Sequence, residues 1–441
     1  MTTGAENVVI AGAGVAASIA ASELRRHGFD VWMIQRPAAR SEEGIEALSS
    51  SALAAFSGLG LVGALVRAGA VMGSGFENAW EGRDRLRYID SPWVYVERSA
   101  LTRALHDEAT RRGARTVRVG RLPPLTPEVD PGRGFEWAHP DLPHRSMAAI
   151  DATGRSARWI GNVERKEVKV ASLYRGPGTL IMRAGRVIRT PTGWAYALFH
   201  PAQTTVGVID THNVRRAGRW LSTCVAEALD LANPDTFAFV RRCAANAQWT
   251  TTPIQGQLLA VGDSAFACEP IAGHGLRFAV ASAAAAVSVL ATQRNQGPLD
   301  VTQCYYLNLA RGARTRHLAE LDALNGGTPS PPAAPIGAYD SLVFSGKVVA
   351  TGVRRGDGIV EEECLRLPDG GLVRWVGEFD LMALQTIAAV PRASSALVAT
   401  LRERGLKGSD VESLLRWCVD RRVLRPGPFQ TLDERAEHEP I

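Results

Sequence analysis

Lysine is scarce in this 441-residue chain: Lys166, Lys169, Lys347 and Lys407 are the only four, so arginine carries nearly all of the net charge of +5. That charge is mild and forms no dense basic block, which argues against nucleic acid as a partner. The six cysteines (Cys224, Cys243, Cys268, Cys304, Cys364 and Cys418) never fall in C-x-x-C spacing and have no neighbouring histidine cluster. Zinc and iron–sulfur sites are thereby excluded, no metal is expected, and reduced thiols are the default. No apolar run approaches the roughly twenty residues a membrane helix needs. The most apolar stretch, Phe278 to Leu290, is short and alanine-rich. The N-terminus has no basic segment ahead of an apolar one, so a cytoplasmic protein without signal peptide or membrane contact is expected. What remains is the balance of a globular protein, 46% apolar and 22% charged, long enough for two or three domains.

The first positive pattern is VVIAGAGVAASIAASELRRHGFDVWMIQRP. Val8 to Ala11 reads as a buried strand, Gly12-x-Gly14-x-x-Ala17 as the turn after it, and the alanine-rich run to His27 as a helix. Gly28 ends that helix, and Val31 to Ile34 reads as a second strand. This is a βαβ unit with a dinucleotide fingerprint in its first turn. Gly12 permits the tight turn, Gly14 lets backbone approach a pyrophosphate at a helix N-terminus, and Ala17 lets helix and strand pack closely. An acidic residue belongs at the end of the second strand, to hold ribose hydroxyls. Gln35 stands there instead, followed by Arg36, so the charge-assisted hydrogen bond is missing and weaker cofactor retention is expected.

Two later stretches complete a set. AAIDATGRSAR is an apolar strand running into Asp151-Ala-Thr153-Gly154. LLAVGDSAFACEPIAGHGLRFAVASA is a strand, then Gly262-Asp263, then Pro270, Gly273 and Gly275 opening a helix. In this order the three motifs resemble the signatures of the FAD-dependent monooxygenase and halogenase superfamily, over about residues 1 to 325. The resemblance implies FAD, with Asp263 on the ribityl chain and the Pro270–Gly275 turn presenting backbone N–H groups and a helix N-terminus to the flavin ring. Such a positive end stabilises the anion of the reduced ring. RSEEGIEALSSSALAAFSGLGL resembles the family's Arg-x-x-Gly-Glu-Ser stretch, with Gly44 and Glu46 at matching positions. VYVERSALTRALHDEATRRGAR resembles the helix after an arginine that faces the cofactor, which makes Arg98 the candidate; the alternative for Arg98 is a surface charge at a helix start.

Three branches of the superfamily compete. Halogenases carry a lysine between flavin and substrate in the N-terminal part of the chain, and here no lysine precedes Lys166. Their Trp-x-Trp-x-Ile-Pro signature is also blurred: GWAYALFHP has Trp194, Tyr196 and Leu198-Phe199 in its place. Aromatic hydroxylases that bind NAD(P)H carry an aspartate where this chain has Thr153, so a separate reductase is as plausible an electron source as NAD(P)H. The third branch modifies a residue inside another polypeptide. The chain, including NAWEG at residues 78–82, is similar to the flavoprotein monooxygenases of tryptophylquinone cofactor biogenesis. That likeness implies a tryptophan-containing polypeptide as partner and substrate, hydroxylated through a flavin C4a-hydroperoxide. The alternative is a monooxygenase acting on a free small aromatic.

The expected fold is α/β. A Rossmann-type FAD domain is assembled from residues 1–75, 95–165 and 250–325, with an inserted β-rich substrate domain, as in p-hydroxybenzoate hydroxylase, from 76–94 and 166–249. Residues 326–337 read as a Pro/Gly/Ser linker. Residues 338–441 read as a small winged-helix-like domain: a hairpin from Gly358–Leu367 and Gly371–Trp375, helices near 379–389, 393–405 and 409–423, and a closing strand. Its third helix balances three arginines against three acids, which favours contact with protein over DNA. Binding a partner segment by strand addition is one reading; a structural cap is the other.

Four residues are candidates for the chemistry. Trp194 and Tyr196 alternate with Leu198 on one strand, so they share a face on which an aromatic ring could stack, core packing being the plainer alternative. His274 sits between the two flavin-side glycines, placed for proton donation or cofactor support. Glu269 precedes Pro270 and is read as facing the substrate pocket. His200 and His212 read as structural. No Ser-His-Asp arrangement or paired-carboxylate spacing is visible, so the flavin itself carries the hard chemistry.

Overall fold

The computed structural model describes residues 6–37, 44–79, 87–89, 93–127, 134–179, 183–210, 221–231, 233–271, 273–324, 339–376 and 379–427. The linker 326–337, His212, the tryptophan of NAWEG and residues 40–43 of the RSEEGIEALSS stretch lie outside them. The chain forms two compact units, Met1–Leu299 and Asp300–Ile441.

In the first unit, a six-stranded sheet is ordered 254–255, 258–260, 148–151, 7–11, 30–35, 115–118, parallel except at the 254–255 edge. The strand Asn7–Ala11 is fully buried, as an apolar run covered on both faces must be. Helix Val15–Arg26 crosses back to strand Asp30–Gln35, the connection read from the sequence. Register sets Ala11 beside both Ile34 and Asp151, and Asp151 beside Ala260. All three motifs therefore leave the sheet at its carboxyl edge, where open α/β sheets bind ligands.

Helix His274–Arg294 closes this domain. Its mean hydropathy of 1.6 reaches that of a membrane span, but 83% of that stretch is buried inside the protein. Runs such as Ala283–Ala286 are 0–9% exposed, small enough for neighbouring elements to approach closely. Ser282 Oγ donates to Phe278 O at 2.7 Å and accepts from Gly262 N at 2.9 Å, tying the helix to the third motif.

A seven-stranded sheet is ordered 238–244, 170–176, 204–210, 193–199, 185–190, 76–79, 87–89. Its two faces have different partners. Tyr174, Ile188, Ala195, Ala197, Phe199 and Val206 pack against Leu221, Ala226, Leu229 and Leu231, around helix Thr223–Ala228. The other face carries Ala171, Leu173, Val187, Trp194 and Ile209, with Tyr196, Cys243 and Ile271 packed against it. Because Ile271 lies in the Pro270–Gly275 turn, this second face is the one turned to the third motif.

In the second unit the sequence reading missed the strands Ser341–Phe344 and Lys347–Arg355 but placed the strand Gly358–Arg366. Strands Lys347–Arg355 and Gly358–Arg366 form a long hairpin, with Leu372–Val373 added at its edge. Its turn is Gly356-Asp357, where Gly356 has φ +57°. Strand Ser341–Phe344 lies between 392–393 and 424–426. Helices Ala383–Ile387, Ser394–Glu403 and Gly408–Asp420 fall at the three expected places, the first much shortened because Phe379–Asp380 is a strand. Leu342, Leu384, Leu397, Leu401, Val411 and Leu415 make the core.

Candidate functional site

Gly12 is required by the protein itself. Its φ is +125°, and a Cβ there would lie 2.3 Å from Ala152 O. Its N–H donates to Ile34 O at 2.9 Å, so the turn is pinned between two strands. Gly14 is different: it caps helix Val15–Arg26, and a Cβ on it would meet nothing within 4 Å. Open space faces a helix N-terminus whose first N–H groups have no intrahelical partner. Ala17 is 1% exposed and keeps the helix close to the sheet. Gln35 is half-buried at the strand end, and Arg36 is exposed just beyond it.

The second motif is a structural hub. Asp151 is fully buried and its carboxylate accepts from Thr153 N, Thr153 Oγ1, Trp159 N, Ile160 N and Ser264 Oγ, at 2.7–3.1 Å. Five donors satisfy a buried carboxylate, and the last of them ties the second motif to the third. Arg155 extends the tie, donating to Asn246 O at 2.7 Å and Cys268 O at 3.1 Å. Thr153 is thus held at the carboxyl edge by Asp151.

In the third motif, Gly262–Ser264 forms one 3-10 turn. Gly262 has φ +58°, and a Cβ on it would lie 2.7 Å from Ala16 Cβ, so the third motif nests on the first. Asp263 is half-buried and forms no hydrogen bond with a described residue. Pro270 is exposed. Gly273, at φ +63°, caps helix His274–Arg294, with a Cβ position 3.0 Å from Ala47 O and 3.5 Å from the Trp93 ring; Gly275 again meets nothing within 4 Å. His274 is the first residue of that helix and half-buried.

Glu46 and Arg98, named separately from the sequence, come together. Strands Ile45–Leu48 and Trp93–Glu97 pair antiparallel, Arg98 N donates to Gly44 O at 2.9 Å, and Arg98 Nη1 lies 2.9 Å from Glu46 Oε1. Trp194 and Tyr196 stack at 5.7 Å between ring centroids on the face that meets Ile271. Burial, reinforced by the Glu46 carboxylate, holds the Tyr196 phenol above its ordinary range, so it stays neutral as a donor.

The structure also reveals a partner for Glu269. Its side chain is 1% exposed, and both oxygens accept from Lys169 Nζ, at 2.9 and 2.8 Å. A charge this deeply buried needs such pairing. Lys169 immediately precedes the strand Val170–Gly176 that carries Ala171 and Leu173, so the ion pair links the Pro270–Gly275 turn to the seven-stranded sheet. The signal in the sequence was a lysine among four in the chain, set against an apolar alternating run.

The residues present fit FAD. Two helix N-termini face open space at Gly14 and Gly275, and Asp263, without a hydrogen-bond partner among the described residues, follows strand Leu258–Ala260 at the carboxyl edge. Residues 5–123 match the FAD binding domain family. No curated protein matches the chain significantly. Among solved structures, the chain is similar to the peptidyl tryptophan dihydroxylase QhpG, essential for tryptophylquinone cofactor biogenesis (20% identity, TM-score 0.66, 95% of this chain and 99% of that one). It is similar to the flavin-dependent halogenase CmlS (16% identity, TM-score 0.71, 96% of each chain). A flavin-dependent halogenase from Xanthomonas campestris aligns over 73% of this chain and 77% of its own, at 14% identity and TM-score 0.59. These likenesses establish the fold, and the family match establishes FAD as the cofactor.

Proposed function

Taking the chain as an FAD-dependent oxidoreductase, we propose that it is a monooxygenase that hydroxylates a tryptophan side chain in a partner polypeptide. The observation that carries this reading is the aromatic face of the seven-stranded sheet. Trp194 and Tyr196 stand opposite the turn that would hold the flavin ring, where an indole would lie between them and the cofactor. The likeness to a peptidyl tryptophan dihydroxylase along nearly its whole length supports a polypeptide substrate.

Halogenation, the chemistry of the other similar proteins, is less well served. Lys169 lies on the right face, but its ammonium is bonded to both oxygens of Glu269 and is not free to meet a substrate. Glu269 is equally committed, so we assign it to holding the turn rather than to proton transfer.

Bound FAD supplies oxygen activation. The chain supplies the rest. The Gly14 and Gly275 turns offer N–H groups to the cofactor's charged parts. Asp263 accepts hydroxyl hydrogen bonds. Trp194 and Tyr196 orient the substrate ring and exclude water. His274 stands at the start of the flavin-side helix, where its imidazole would pass a proton to or from the cofactor or substrate. Electrons come from a reductase or NAD(P)H.

The test is mass spectrometry of the holoprotein with a reductant, O₂ and either a tryptophan-containing polypeptide encoded beside it or free tryptophan. The mass of one or two oxygen atoms gained on the polypeptide is the expected result. A gain on free tryptophan alone replaces the reading with a small-aromatic hydroxylase. No gain on either means that the substrate is wrong.

A further inference from the structure

The sheet face turned to the Pro270–Gly275 turn holds a half-buried arginine, Arg241, that no described residue neutralises. Of the acids near this face, Glu46 is paired with Arg98 at 2.9 Å and Glu269 with Lys169 at 2.8 Å. Arg241 forms no hydrogen bond or ion pair with a described residue, and its Nε is buried without a partner. An unpaired buried donor on a charged group is costly, so something outside the chain is expected to repay it.

The local backbone aims Arg241 at this face. Strand Ala238–Ala244 pairs Arg241 with Leu173 but Phe239 with Tyr174, leaving Val240 as the extra residue of a β-bulge. Phe239 packs edge-on to Tyr174, at 5.8 Å, on the far face. The bulge therefore turns the chain over within two residues and delivers Arg241 to the side of Leu173, a device common beside active sites.

From there the register runs straight across the sheet: Arg241 beside Leu173, Leu173 beside Gly207, Gly207 beside Tyr196. A Cβ on Gly207 would lie 2.2 Å from the Tyr196 ring and 2.7 Å from its hydroxyl oxygen. The phenol thus reclines over the glycine, towards Leu173 and Arg241. The Arg241 charge acts on that phenol, and Ile271 of the flavin-side turn packs on the same cluster.

We propose that Arg241, with the Tyr196 hydroxyl beside it, binds a carboxylate carried by the substrate and so fixes which way the aromatic ring faces the flavin-side turn. The guanidinium fork matches a carboxylate geometrically. The orienting role rests on the aromatic-hydroxylation reading; the carboxylate contact is measurable without turnover. The carboxylate belongs either to a free aromatic acid or to an acidic side chain next to the target tryptophan.

Calorimetric titration of the holoprotein with two matched pairs tests this. One pair is indole-3-acetate and indole-3-acetamide. The other is N-acetyl-Asp-Trp-amide and N-acetyl-Asn-Trp-amide. The acid of at least one pair is expected to bind about tenfold tighter than its neutral analogue. The pair that discriminates identifies the source. Arg241→Gln abolishes the preference and Arg241→Lys keeps part of it, with flavin absorbance unchanged in both. Equal affinities within both pairs, or a preference that survives in Arg241→Gln, overturns the proposal. Oxygen gain without acid preference defeats this inference alone, whereas acid preference without oxygen gain defeats the hydroxylation reading alone.

Discussion

The two glycine turns, Gly12–Gly14 and Gly273–Gly275, share a spacing and a division of labour. In each, the first glycine answers to the protein: φ +125° with Ala152 O in the way at Gly12, φ +63° with Ala47 O in the way at Gly273. In each, the second has open space where a side chain would be. They differ in what holds them. The first turn is clamped inside the parallel sheet by Gly12 N and Ile34 O. The second is held from the side, by the Trp93 ring and by Glu269, whose partner Lys169 adjoins the strand Val170–Gly176 of the seven-stranded sheet. The first turn is thus part of the parallel sheet's frame, while the second follows the position of the seven-stranded sheet.

Breaking the side support has the largest expected effect. Glu269→Leu strands the Lys169 ammonium and is expected to destabilise by about 3–5 kcal/mol, whereas Glu269→Leu with Lys169→Met recovers most of the loss. Denaturant unfolding of both variants decides it; a double variant no more stable than the single one would remove the pair from the comparison.

Next comes Gly12→Ala, expected to cost about 3 kcal/mol from the clash and the positive φ together. Gly273→Ala has a looser contact and an ordinary left-handed conformation, so about 1–2 kcal/mol is expected. Equal losses in thermal unfolding would mean that the two turns are held alike.

Gly14→Ala separates cofactor from fold. The protein is expected to melt within about 0.5 kcal/mol of the parent without FAD, because the new methyl meets no protein atom. FAD affinity, read by equilibrium dialysis, falls more than about tenfold if the open space is where the pyrophosphate lies. A tenfold loss in Gly275→Ala too would extend the equivalence to the flavin side.

Gln35→Glu acts in the opposite direction. Restoring a charge-assisted bond to ribose hydroxyls is expected to tighten FAD by up to about tenfold. Slower release of flavin on dilution is the readout, and no change would place the ribose away from Gln35.

The smallest effect lies in the second unit. Burial pushes the Cys418 thiol up to about 12 from an ordinary value of 9.0. The unfolded thiol ionises first, so this contribution to stability is complete below pH 9 and is lost as pH rises towards 12. The melting temperature should fall over that window, less steeply in Cys418→Val.

The parts of the site legible in the sequence are those that local backbone sterics encode. Gly12, Gly262 and Gly273 stand where φ is positive and another backbone or side chain is close, and strand-to-helix periodicity around each turn identified it without knowledge of the partner. Short-range order also placed the three helices of the second unit. The long hairpin at Gly356-Asp357 was missed although its turn residues were visible, because the hairpin signal at Asp369-Gly370 was taken for the main one. Glu46 and Arg98 were each found, but not their pairing.

The sequence by itself determined that three glycine turns would leave parallel strands at one edge of the sheet, since residue type and spacing suffice to specify a tight turn into a helix. Only the tertiary structure decided which charges in the chamber are paired. Lys169 and Glu269 are 100 residues apart, and the Arg241 row depends on a bulge and on the register of four strands. Such contacts arise from how strands align after the chain has folded, and a shift of one residue would turn each of those side chains to the opposite face.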